Sequence, residues 1–189
     1  MTTKTARAML ILLAMMPDIG AAHAAGAEAP VASEVSPPGD IPDNQAFITY
    51  AVPSGYSIKV PEGWARRDDA QSAVFSDKYN HISLVTRDAA AKIDGAYAKS
   101  TLVPELEKNG RAVDNVRITT VKLKARKVIK LAYDSNSEPN AVTNKQVREE
   151  NEKFFFTNKG KLVELTLSAP KGADNADQWK FISSSFRWK

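Results

Sequence analysis

This 189-residue sequence predicts an α+β fold built on an antiparallel sheet, and three observations predict it. Short apolar runs alternate residue by residue with polar ones and are bounded by turn residues, as strands with a covered face are. Two stretches break that rhythm and bring apolar side chains round every three or four residues, as amphipathic helices do. Two apolar arms flank Asn158-Lys159-Gly160, a turn whose glycine can take positive φ, so the arms read as an antiparallel hairpin.

The chain opens with Lys4 and Arg7, an apolar run from Ala8 to Met16, and Ala22-His23-Ala24. This order predicts a secretory signal peptide over residues 1–24, cut after Ala24, and a periplasmic or secreted protein. The apolar run of nine residues falls well short of the ~20 that a spanning helix needs, so no transmembrane segment is expected in the mature chain. Cysteine is absent. No disulfide framework and no cysteine-borne lipid are therefore available, and the core must hold the fold unaided. Residues 25–46, rich in Ala, Glu, Ser and Pro, read as a disordered linker, and residues 47–189 as a single domain.

Phe47 to Val52 gives the first strand, and Pro53-Ser54-Gly55 turns it into Tyr56 to Val60, where Tyr56, Ile58 and Val60 share one face. Pro61-Glu62-Gly63 ends that strand and lets Trp64 fold back over it. Further strands are expected at Ser72 to Ser76 and His81 to Thr86. Asp94 then reads as the N-cap of a helix carrying Ala98, Leu102 and Leu106 on one stripe, closed by Gly110, with Pro104 predicting a kink or a fresh start. Val116 to Ile118 is a short strand, and Arg126 to Tyr133 a longer one with Ile129, Leu131 and Tyr133 on one face. Asp134 to Asn144 reads as a polar loop. In the hairpin's second arm Val163, Leu165 and Leu167 point inward and Glu164, Thr166 and Ser168 outward, the pattern of a sheet with one covered face. Asp174, with Asp177 completing a partial capping box, starts a last helix whose Trp179, Ile182 and Phe186 lie on the sheet.

The candidate chemistries are mostly excluded by count. His81 is the one histidine beyond the predicted cleavage point, so a histidine-rich metal site cannot be built, and a serine hydrolase would have to use His81 as its base. Asp134, Asn136 and Glu138 match the first oxygen positions of a calcium loop, but Pro139 stands where glycine is required and Lys145 where the closing glutamate belongs. Phosphate-cradling glycine motifs are absent. Glu149 and Glu150 are sequence neighbours that point to opposite faces of a strand and form no acid/base dyad. No metal, cofactor or catalytic residue is expected, and the chain is not read as an enzyme.

Charge is unevenly spread: residues 25–110 carry 8 basic and 12 acidic side chains, residues 111–189 carry 16 and 9. The densest basic run is Lys122, Lys124, Arg126, Lys127 and Lys130, of which Lys122, Lys124 and Arg126 would share one face of an extended segment. Such a stripe suits an acidic protein, or weak contact with an anionic membrane surface, and is also what an ordinary solvated strand face looks like. Nucleic acid is not expected, because no aromatic side chains are interleaved with the cations.

The stretch Gly55-Tyr56-Ser57-Ile58-Lys59-Val60-Pro61-Glu62-Gly63-Trp64, with Val74-Phe75, the middle helix, the Lys161 to Ser168 strand with Ala169-Pro170, and the closing Ile182-Ser183-Ser184-Ser185-Phe186-Arg187, resembles the Mog1/PsbP-like superfamily. That resemblance implies an α/β/α sandwich around a central antiparallel sheet flanked by helices, and a non-catalytic accessory or adaptor domain that binds an envelope protein or complex. It carries over no catalytic residues. A second expectation is a carrier for a small apolar or anionic ligand, held between helix and sheet near Tyr56, Trp64 and Trp179.

Overall fold

Ten strands and three helical segments follow Phe47 in the computed structural model, which describes residues 28–35, 39–52, 55–89, 92–124 and 126–189. The predicted signal peptide lies outside the described residues. The strands are β1 (Phe47–Val52), β2 (Tyr56–Pro61), β3 (Ala65–Asp68), β4 (Ser72–Asp77), β5 (Asn80–Asp88), β6 (Asp114–Leu123), β7 (Arg126–Asn136), β8 (Arg148–Asn158), β9 (Lys161–Pro170) and β10 (Arg187–Trp188). The helical segments are α1 (Gly95–Tyr97), which runs through a π-helical turn at Ala98–Leu102 into α2 (Val103–Asn109), and α3 (Ala176–Ser185).

Seven strands form one antiparallel sheet in the order β3-β4-β5-β9-β8-β7-β6, and β1-β2-β10 form a second, smaller one. The central partners are β5 and β9, in register from His81 opposite Ser168 to Asp88 opposite Lys161. Between β8 and β9 the turn is only two residues long, since Asn158 pairs with Lys161. Lys159 and Gly160 both take positive φ, 45° and 77°, the backbone of a tight hairpin turn whose twist matches the strands.

Both faces of the large sheet are covered, which departs from the one-faced pattern expected from β9. On one face Leu84, Val163, Leu165 and Leu167 pack with Ile58 and Val60 of the small sheet and with Trp179, Ile182 and Phe186. On the other, Ile129, Leu131, Phe155 and Leu162 meet Ala98 and Leu102 of the middle helix. Glu164, read as outward and solvated, is 7% exposed beneath that helix, held by Arg87 at 2.5 Å and Lys153 at 2.7 Å. An acidic residue at an alternate strand position has the same sequence signature whether water or paired cations receive it.

The middle helix starts as expected, with Asp94 Oδ1 accepting from the Tyr97 N–H at 3.0 Å. The break before Pro104 is a widened turn, in which the Val103 N–H donates five residues back to Ala98 O and proline falls in the first turn of α2. Proline has no N–H to give, and its ring crowds the carbonyl four residues back, so a fresh start one turn later is the accommodating geometry. Gly110 takes an ordinary negative φ; a Cβ there would sit 2.4 Å from Val113 Cγ2 and 2.8 Å from Leu106 O.

Three further expectations differ. β6 is ten residues long rather than a piece of three, and β7 continues through Asp134 to Asn136 before the polar loop begins. Helix α3 starts at Ala176 with Asn175 as N-cap, and that side chain makes no capping bond because it is committed elsewhere. The third concerns residues 25–46. The described part of this stretch lies along the body: the Ile41 N–H donates to Asn175 Oδ1 at 2.6 Å, Asn175 Nδ2 donates to Gly39 O at 2.9 Å, and the Ile41 side chain is 3% exposed. Farther up, Glu28 accepts from Asn136 Nδ2 at 2.9 Å and Gln146 Nε2 at 2.6 Å and pairs with Arg111 at 2.9 Å, and these bonds lower its pKa. Composition missed this because one buried isoleucine and a few backbone bonds fix such a segment without any periodic pattern.

Candidate functional site

The basic run folds as the tip of the β6–β7 hairpin. Leu123 pairs with Arg126 across a two-residue turn, with Lys124 at φ 55°. That turn removes the shared face expected for Lys122, Lys124 and Arg126. Cross-strand partners lie on one side of a sheet, so Lys122 sits with Lys127, and Arg126 with Leu123 on the opposite side. Lys122, Lys124, Arg126 and Lys127 are all exposed, and none joins an ion pair among the described residues. Lys130 is different. It pairs with Glu152 and stands 5.9 Å from the Phe154 ring, so its charge is spent inside the fold.

Beside the hairpin, α3 covers only part of its sheet face. A cavity of 510 Å³ opens between α3 and the β6–β7–β8 half, with Val121, Leu123, Phe154 and Trp179 as apolar lining, Arg117, Lys130 and Lys180 as cations, and Asp134, Glu150, Glu152 and Asp174 as acidic groups. A smaller cavity of 270 Å³ continues to the turn, under Leu123, Lys124, Arg126 and Phe186. Exposed cations and partly buried apolar side chains therefore alternate around one end of the sheet.

Of the three rings expected around a ligand, Trp179 lines the 510 Å³ cavity. Tyr56 is 2% exposed, stacked on Phe186 at 5.4 Å and edge-on to Trp188 at 6.1 Å, and burial raises its pKa. Trp64 packs against the same core. These two rings serve as core.

The remaining polar cluster lies on the opposite face of the sheet and was not found by motif reading. His81, Ser168, Asn151 and Tyr133 are successive register partners across β5, β9, β8 and β7, and so share one face. Ser168 Oγ donates to Asn151 Oδ1 at 2.6 Å, and Asn151 Nδ2 donates to Ser135 Oγ at 2.9 Å. Burial lowers the pKa of His81, keeping its imidazole neutral. Glu149 and Glu150 do point to opposite faces, since Glu149 pairs with Ser135 and Glu150 with Asp134. Asp134 is bound by Lys171 at 2.7 Å and Asn136 by Arg148 at 3.0 Å, so the calcium-like spacing forms no cage. Among the described residues no three His, Cys, Asp or Glu side chains converge.

The fold thus defines an α+β sandwich of the Mog1/PsbP-like type. No protein-family model and no curated protein matches the chain. Solved structures do. The chain is similar to cyanobacterial PsbP (CyanoP) from Synechocystis sp. PCC 6803, with 18% identity over 77% of this chain and 94% of that one, at a TM-score of 0.51. It is similar to the Saccharomyces cerevisiae Ran-binding protein Mog1p, with 12% identity over 77% and 96%, at 0.50. A Bacteroides thetaiotaomicron structure aligns with 14% identity at 0.48 over 75% of this chain, which spans 48% of that structure's length.

Proposed function

We propose that this chain is an exported, non-catalytic accessory domain that binds a protein partner in the cell envelope through the β6–β7 hairpin tip and the cavity beside α3. The observation that carries the reading is the set of four unpaired, exposed cations at one hairpin tip, of which Lys124 and Arg126 line the apolar cavity beside Leu123 while Lys122 and Lys127 extend the charge to the other side of the hairpin. A partner suited to it places carboxylates against the turn and an apolar side chain beside Trp179. The cations would speed encounter and make it salt-dependent, while apolar burial would set residence time. The sequence signature at residues 1–24 supports export, and a structural neighbour described as Ran-binding supports protein recognition by this fold. The cavity at Trp179 also favours a second reading, a carrier for a small apolar or anionic ligand.

The test is a pull-down from detergent-solubilised envelope with residues 25–189, at low and high salt, with native mass spectrometry of the bait. The comparison bait has Lys122, Lys124, Arg126 and Lys127 changed to glutamate, positions whose exposure leaves the core untouched. A protein recovered at low salt, lost at high salt and lost with the reversed bait supports the proposal. Equal recovery by both baits overturns the assigned surface, and extra mass on the bait with no protein partner favours the carrier.

A further inference from the structure

Across the sheet from the hairpin groove, a cavity of 490 Å³ opens below the C-terminal end of α2, lined by His81, Tyr133, Ser135, Glu149, Ser168 and Leu106 among others. Its chemistry is unbalanced. Glu149 is 7% exposed, yet its carboxyl accepts no hydrogen bond and meets no cation among the described residues. Of the three cations that line the cavity, Arg111 is committed to Glu28 at 2.9 Å and Glu138 at 3.5 Å and Lys145 to Glu34 at 2.7 Å, while Lys78 joins no ion pair among the described residues and none of the three meets Glu149. The Glu149 oxygens are not sealed in the core but open onto the cavity, and the natural complement of a largely desolvated carboxylate facing such a space is a cation.

We propose that this cavity is a binding site for a small organic cation, a primary ammonium seated against the Glu149 carboxylate. An ammonium offers three donors. Glu149 takes one, and Ser135 Oγ and Ser168 Oγ, fixed by the Asn151 bridge, keep lone pairs for the others. Tyr133 presents an aromatic wall, and Leu106 and Val113 give the carbon portion an apolar lining. A metal ion fits less well, because among the described residues no three His, Cys, Asp or Glu side chains converge to hold one.

Burial and the nearby Glu138 charge raise the Glu149 pKa to about 7. The other titratable or charged groups facing the cavity are Tyr133 from β7, His81 from β5, and Lys78, Arg111, Glu138 and Lys145 from the surrounding loops. Tyr133 is shifted upward, away from this range, and burial shifts His81 downward, toward its neutral imidazole. Ammonium binding should therefore strengthen as Glu149 ionises, by about tenfold between roughly pH 6 and pH 8.

The experiment is calorimetric titration of the chain with n-butylamine, and with butyrate as the counter-probe, at both pH values. Amide shifts on the wild-type chain map the contact. Butylammonium binding at the higher pH, about tenfold weaker at the lower, with shifts centred on Tyr133, Ser135, Glu149 and Ser168 and at least tenfold lost in Glu149→Gln, supports the site. No binding at the higher pH, butyrate binding as well as butylammonium, shifts centred elsewhere, or unchanged affinity in a folded Glu149→Gln overturns it. The site lies on the other face of the sheet from the proposed protein-binding groove, so either proposal can fail alone.

Discussion

Asn175→Ala tests whether the segment before Phe47 belongs to the folded unit. Asn175 is 2% exposed, and its amide accepts from Ile41 N–H at 2.6 Å, donates to Gly39 O at 2.9 Å and reaches Asn80 Oδ1 at 3.3 Å. Alanine orphans a buried backbone donor and a buried backbone acceptor, at about 1–3 kcal/mol each, so the loss should be roughly 3 kcal/mol. Helix capping does not confuse the result, because the side chain makes no capping bond to α3. In a chain starting at Phe47 the same substitution touches only the Asn80 contact and should cost about 1 kcal/mol. The double-mutant cycle therefore predicts a coupling of about 2 kcal/mol. Urea unfolding followed by circular dichroism reads this as a midpoint shift of roughly 1–2 M in the longer chain. Equal losses in both backgrounds would show that Gly39 and Ile41 are not held as described, and would refute the reasoning.

Gly160→Ala should destabilise by about 1–2 kcal/mol through backbone strain alone, because φ is 77° and no atom lies within 4 Å of the added Cβ; an unchanged urea midpoint would contradict the two-residue turn. Glu149 gives a pH signature. Its folded pKa of about 7 lies above the reference value of 4.5, so its contribution is fully present below the unfolded value and is lost as pH rises through the folded one. Over that window wild type should lose up to about 3 kcal/mol relative to Glu149→Gln, then run parallel to it above about pH 7; parallel curves throughout would show that the carboxyl is ordinarily solvated.

Much of the strand and helix content was legible in the sequence, because those signals are local. Tyr56, Ile58 and Val60 on one face of β2, Ile129, Leu131 and Tyr133 on one face of β7, and the stripe of Trp179 and Ile182 on α3 all follow from a two-residue or a 3.6-residue period. The site was less legible. The run from Lys122 to Lys130 is a fact of composition, but a turn of two residues decides which cations share a face. Glu149 gave no signal beyond its neighbour Glu150, since nothing local says that the cations around its cavity do not meet it.

The sequence by itself determined the α+β class, the β8–β9 hairpin and the turn glycine that closes it, and the amphipathic helices. Tertiary structure alone decided the strand order, the covering of both sheet faces, the seating of Ile41 under Asn175, and the pocket that leaves Glu149 unpaired. The physical reason is range: periodicity and turn conformation are set by residues a few positions apart. Pairing order and desolvation depend on contacts between segments that meet only when the chain has folded.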